Sequence, residues 1–160
     1  MTKSSKGFSL IELLIVVAII LIIAAIAIPN LLRSRIAANQ ASAVGSLRTL
    51  NTAEITYSST FNVGFSSTMT YLGPGAAGAN PTSTAAGLID SVLSTGAKSG
   101  YDFAYTAGSA DSSGRINTYS FTAIPITSST GTNYYFTDQS GVIRQNSTTT
   151  AAATDSPIAG

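Results

Sequence analysis

The chain has 160 residues, which leaves material for one small domain once a spanning helix is set aside, and no second domain is needed. It contains no cysteine and no histidine, so it has neither a disulfide framework nor a thiolate metal site, and it lacks the commonest general base. Eight basic and seven acidic side chains leave it almost neutral, which argues against electrostatic nucleic-acid binding as its main task.

The first seven residues, MTKSSKG, carry two lysines and no acid. From Phe8 to Ile28 every residue is apolar except Ser9 and Glu12. That stretch of about 21 residues reaches roughly 30 Å as a helix, the thickness of a bilayer's hydrocarbon core. Its β-branched run, Ile15 to Ile20, would favour a strand in a short segment, but lipid supplies no hydrogen-bond partners and a lone spanning segment must be helical. Lys3 and Lys6 place the N-terminal end in the cytoplasm by the positive-inside rule, although Arg33 and Arg35 beyond the other end weaken the asymmetry. Glu12 is the anomaly. An ionised carboxylate costs about 2.5–3.5 kcal/mol at a bilayer centre, so it calls for a partner or a function; snorkelling to the interface is the bland alternative. A secretory signal is the rival for the whole stretch, since Ala25-Ile26-Ala27 has a small-x-small pattern. Glu12, the length of the apolar run and the helical periodicity past Pro29 stand against it.

Pro29 is expected to kink the helix rather than end it, because an apolar stripe continues beyond it. Leu32, Ile36, Ala43, Leu47, Leu50 and Tyr57 share one face of an amphipathic helix running to about Tyr57, interrupted by Asn39 and Glu54.

The residues Lys6-Gly7-Phe8-Ser9-Leu10-Ile11-Glu12 and the apolar run after them resemble the leader and first helix of type IV prepilins and the related pseudopilins. The likeness is dense from Lys6 to about Ala43 and only architectural afterwards. The resemblance implies cleavage by prepilin peptidase after Gly7, N-methylation of the new terminus at Phe8, and a salt bridge from Glu12 to the Phe8 amine of a neighbouring subunit. It further implies a helical homopolymer as the product, a lipid bilayer as the solvent before assembly, and inner-membrane assembly machinery as a partner. Such a pair is physically sensible, because an amine and a carboxylate buried together offset each other's desolvation and fix the register between staggered helices. Family members often carry a glycine some eight residues before the proline. Here that position is Leu21, so melting of the helix before Pro29 is less assured.

From Ser58 the composition turns to Ser, Thr, Gly and Ala. Residues 58–81 read as an irregular loop pinned by Phe61, Phe65, Tyr71 and Leu72, and Thr82 to Thr95 as a short helix with Leu88, Ile89, Val92 and Leu93 on one face. Strands are expected at Tyr101–Thr106, Thr118–Ile126, Tyr134–Thr137 and Gly141–Gln145, with alternating Tyr101, Phe103 and Tyr105 marking an inner face and Pro125 a strand end or edge. Gly108–Gly114, Ser128–Gly131 and Asp138–Gly141 read as the hairpin turns. Residues 146–160 hold too little apolar material to fold alone and read as a mobile tail.

The expected class is α+β: a cleaved leader (1–7), a long N-terminal helix (8–57) with a transmembrane part (8–28), and a head (58–160) whose small antiparallel sheet packs on the helix, the pilin fold. The acids are scattered, with no spacing that suggests catalysis or a cofactor, so no enzyme is expected. Asp111 and Asp138 leave a calcium site open, without the dense acidic loop of a dedicated binder. The function that fits is a major pilin, an inner-membrane precursor that ends in a surface fibre. The alternatives are the major pseudopilin of a type II secretion system and, further away, a membrane-anchored surface binding domain.

Overall fold

The computed structural model describes residues 7–158; the leader lysines Lys3 and Lys6 lie outside the described residues. Two compact units, residues 1–35 and 36–160, divide the chain. Helix α1 (Leu10–Phe61) contributes its first half to one and its second half to the other, and it continues through Pro29.

In the first unit the sequence pattern is reproduced literally: the large apolar side chains from Leu10 to Leu32 are 44–73% exposed, with nothing packed over them. This helix is long and apolar enough to cross a membrane.

In the second unit the stripe on α1 becomes a core face. Ala43, Leu47, Leu50 and Tyr57 are buried as the periodicity predicts, while Leu32 stays exposed. The helix ends at Phe61, four residues beyond the expected Tyr57, and Asn62 follows at φ 58 with its N–H donating to the Ser58 carbonyl. That is the left-handed terminus to which asparagine is suited.

Five antiparallel strands follow in meander order: β1 (Ala97–Lys98), β2 (Tyr101–Ala107), β3 (Tyr119–Pro125), β4 (Tyr134–Asp138) and β5 (Arg144–Asn146). Alternation decides the faces. Tyr101, Phe103, Tyr119, Phe121, Ala123, Tyr135 and Thr137 point inward, and the register sets Tyr105 opposite Phe121 and Ala123 opposite Tyr135. These rings and the α1 stripe form one core cluster. Each fully buried large apolar side chain contributes about 1.5–3 kcal/mol.

Three polar side chains of α1 tie the helix to the rest of the head, to two strands and to two loops. Asn39, one break in the stripe, donates to the Thr130 carbonyl at 2.9 Å. Asn51 donates to Thr137 Oγ1 at 2.8 Å and accepts from the Tyr119 hydroxyl at 3.1 Å. Glu54, the other break, is 0% exposed. Its Oε2 accepts the Ser66 N–H at 2.9 Å, and its Oε1 lies 2.6 Å from Ser66 Oγ.

Elsewhere the structure corrects the sequence reading. The helix expected over 82–95 shrinks to one turn, α2 (Ser91–Ser94), capped by Asp90, whose Oδ1 accepts the Leu93 N–H at 2.9 Å. Gly87 at φ 65 breaks the pattern, and the N–H groups of Leu88 and Ile89 go to the Leu72 carbonyl instead of to a helix. Within the expected loop 58–81, Met69–Leu72 forms a 3-10 turn. Strand β1 was not foreseen, and of Gly141–Gln145 only Arg144 and Gln145 join β5. The Asp138 turn has the expected chemistry: Gly141 sits at φ 73 and Asp138 Oδ1 accepts the Ser140 N–H.

The tail expected to be mobile instead folds back on the sheet. Asp155 organises it: its carbonyl accepts from Arg144, its Oδ1 from Asn146 and its Oδ2 from the Ala152 N–H, at 2.8–3.1 Å. Ile158 N–H bonds to the Ile143 carbonyl, and Ala151 is 3% exposed. Local polar bonds replace the apolar material that composition showed to be missing.

Candidate assembly site at the helix start

Gly7, Phe8 and Ser9 precede α1 without regular structure, and all three are exposed. A Cβ added at Gly7 would meet nothing within 4 Å. Among the described residues the fold therefore gives no steric reason for glycine there. Phe8 is 74% exposed.

Ser9 and Glu12 form a reciprocal cap. Glu12 Oε2 accepts the Ser9 N–H at 2.9 Å, and Ser9 Oγ accepts the Ile11 N–H at 3.3 Å. Two donors at the start of the helix are thereby satisfied, and the acid lies in the first turn, where the helix dipole favours negative charge. The sequence reading treated Glu12 as an anomaly and as the partner of a neighbour's Phe8 amine, and missed this local role. The signal was present in the Ser-x-x-Glu spacing of Ser9 to Glu12. The cap holds the carboxylate beside the backbone N–H of the residue that follows Phe8. Pro29 lies inside α1, so the Ala25 carbonyl lacks its usual donor four residues on.

The other singled-out acids are occupied by turn chemistry. Asp111 Oδ1 accepts the N–H groups of Ser113 and Arg115, and its Oδ2 accepts from Asn117 at 2.8 Å. These bonds, led by the Arg115 N–H, hold its carboxyl below the usual range. Among the described residues no three acids cluster in a way that could hold a metal ion.

Residues 2–28 match the family model described as the prokaryotic N-terminal methylation motif. Over 37 residues the chain is 65% identical to the "Type IV wide pilus major component PilA4" of Thermus thermophilus, covering 23% of this chain and 28% of that protein. Over 50 residues it is 52% identical to the "Type IV major pilin protein PilA" of Myxococcus xanthus, covering 31% and 23%. The matched stretch thus spans about a quarter of the length of these relatives. No solved structure is matched by the chain. The N-terminal segment of the chain, which leads into a long helix followed by an antiparallel sheet, is thus similar to that of type IV major pilins.

Proposed function

We infer that this chain is the major structural subunit of a type IV pilus, made as an inner-membrane precursor and released into a surface fibre. Prepilin peptidase cuts between Gly7 and Phe8, and the same enzyme methylates the Phe8 amine. Lipid solvates the helix until the assembly machinery transfers it among copies of itself, where Glu12 meets the Phe8 ammonium of a neighbour. Pro29 supplies a point at which the helix can bend or loosen during packing.

The observation that carries this reading is the uncovered apolar surface from Leu10 to Leu32, every large side chain of which is at least 44% exposed. A continuous apolar surface of this size is not left in water; it is covered by lipid or by protein. Glu12 fits both solvents. Its cap lowers the cost of holding it at the membrane boundary, and a neighbour's ammonium offsets its desolvation inside a fibre. The pilus is preferred to the pseudopilus because both relatives with a matching N-terminal segment are named as pilus components.

The test is Glu12→Ala. The variant is expected to insert in the membrane and lose its leader as the native chain does, yet to give no fibres by electron microscopy of sheared cell surfaces. Normal fibres from it would refute the assembly role.

A further inference from the structure

Glu54 is buried in the head, and among the described residues it forms no salt bridge. It is 0% exposed, and the ion pair formed among the described residues, Lys98 with Asp90, lies elsewhere. The titratable groups that face it are tyrosines: Tyr57 on its own helix, Tyr105 on β2 and Tyr119 on β3. None can neutralise a carboxylate, and each is itself pushed up by burial, Tyr119 to about 12. Across from Glu54 the 62–66 segment leaves the end of α1 through two left-handed residues, Asn62 and Gly64, and is pinned to Ile116 through the Phe65 N–H.

The hydrogen-bond distances accommodate both protonation states of Glu54, with Ser66 Oγ donating to Oε1 when the acid is ionised, and the two states differ in the charge left buried. With a proton on Glu54 Oε1 the circuit closes. Oε1–H donates to Ser66 Oγ at 2.6 Å, Ser66 O–H donates to the Tyr105 oxygen at 3.3 Å, Tyr105 O–H donates to the Ser66 carbonyl, and the Ser66 N–H donates to Glu54 Oε2. Without that proton Ser66 O–H must turn to Oε1, the Tyr105 oxygen loses its donor, and an unneutralised charge is left in the core.

We propose that Glu54, Ser66 and Tyr105 form a pH-sensitive latch that holds the 62–66 segment onto helix α1 while Glu54 is protonated and loosens it when Glu54 ionises. The inference concerns the head alone and stands whether or not the chain polymerises. Burial raises the Glu54 carboxyl above its ordinary value of 4.5, against the lowering effect of the Ser66 and Tyr105 hydrogen bonds. The folded chain therefore binds this proton more tightly than the unfolded chain. The associated stability is complete below pH 4.5 and is lost as pH rises through the raised folded value. Asp90 and Asp111 are shifted the opposite way, so their contribution is already complete above the ordinary carboxylate range and adds no decline there.

The experiment uses the full chain in detergent, native and Glu54→Gln. Gln keeps an acceptor for the Ser66 N–H and can donate to Ser66 Oγ, but it does not titrate. Relative to the variant, the native thermal midpoint is expected to fall with rising pH, by about 4–7 °C per unit within the window. Protection of the Ser66 amide against exchange should fall over the same range. The sequence has only two glutamates, Glu12 and Glu54, so carbon-13 labelling of glutamate carboxyls gives two titrating signals, separable with Glu12→Ala even if Glu54→Gln fails to fold. Parallel stability curves, an unchanged Ser66 amide, or a Glu54 signal titrating at or below the ordinary glutamate range would each overturn the proposal.

Discussion

Asn51 joins α1 to two strands at once, and its loss has a computable cost. In Asn51→Ala the hydroxyls of Tyr119 (4% exposed) and Thr137 (0% exposed) lose the partners they have at 3.1 and 2.8 Å. Leaving a buried polar group unpaired costs about 1–3 kcal/mol, so with two groups stranded the variant should lose about 2–6 kcal/mol. That is a large share of the 5–15 kcal/mol typical of a domain, and roughly an 8–20 °C fall in thermal midpoint. Urea and thermal unfolding of the full chain in detergent, followed by the near-ultraviolet circular dichroism of its tyrosines, reads the effect. The reasoning also predicts a rescue. Asn51→Leu combined with Tyr119→Phe and Thr137→Val removes every partner together and should recover most of the loss, since no polar group is then stranded. A single variant within about 0.5 kcal/mol of the native chain, or a triple variant no better than the single one, would refute the assigned network.

Gly7→Leu should leave the head as stable as before, because a side chain at that position meets nothing, while uncut precursor accumulates in the membrane; immunoblots for the mature length check this. Asp155→Ala should free residues 147–157, seen as new cleavage there in limited proteolysis, with a cost of about 1–3 kcal/mol for the acceptors removed. Phe121→Ala, at a fully buried position opposite Tyr105 and Thr137, should cost about 3–5 kcal/mol by denaturant unfolding.

The legible parts of the sequence were those where a single strong constraint writes the pattern. A sheet with one buried face dictates the alternation of Tyr101, Phe103 and Tyr105, which is why that strand emerged close to its observed bounds, and the apolar run from Phe8 to Ile28 lies almost wholly within the helix that starts at Leu10. Local hydrogen bonds leave a fainter mark. The helix expected over 82–95 failed because backbone pairing with the 71–73 turn outcompeted a weak periodicity, and Gly87 was the clue. The tail escaped notice because composition reports apolar burial and says nothing of what one acid, Asp155, can organise. At the candidate site Glu12 was picked out for its oddity in an apolar run, but its cap with Ser9 is a matter of three-residue spacing and was passed over. Glu54 looked like a flaw in the helix stripe. Only the fold shows that the 62–66 segment returns to cover it.

The central claim is that the helix starting near Phe8 passes from lipid into contact with copies of itself. Intact-mass and fragmentation spectrometry of protein sheared from the cell surface as fibres tests it most directly. The account predicts a chain that begins at Phe8, carries one methyl group on its terminal nitrogen and retains the whole apolar stretch to Ile28. Surface material that begins at Met1, or beyond Pro29, would contradict it.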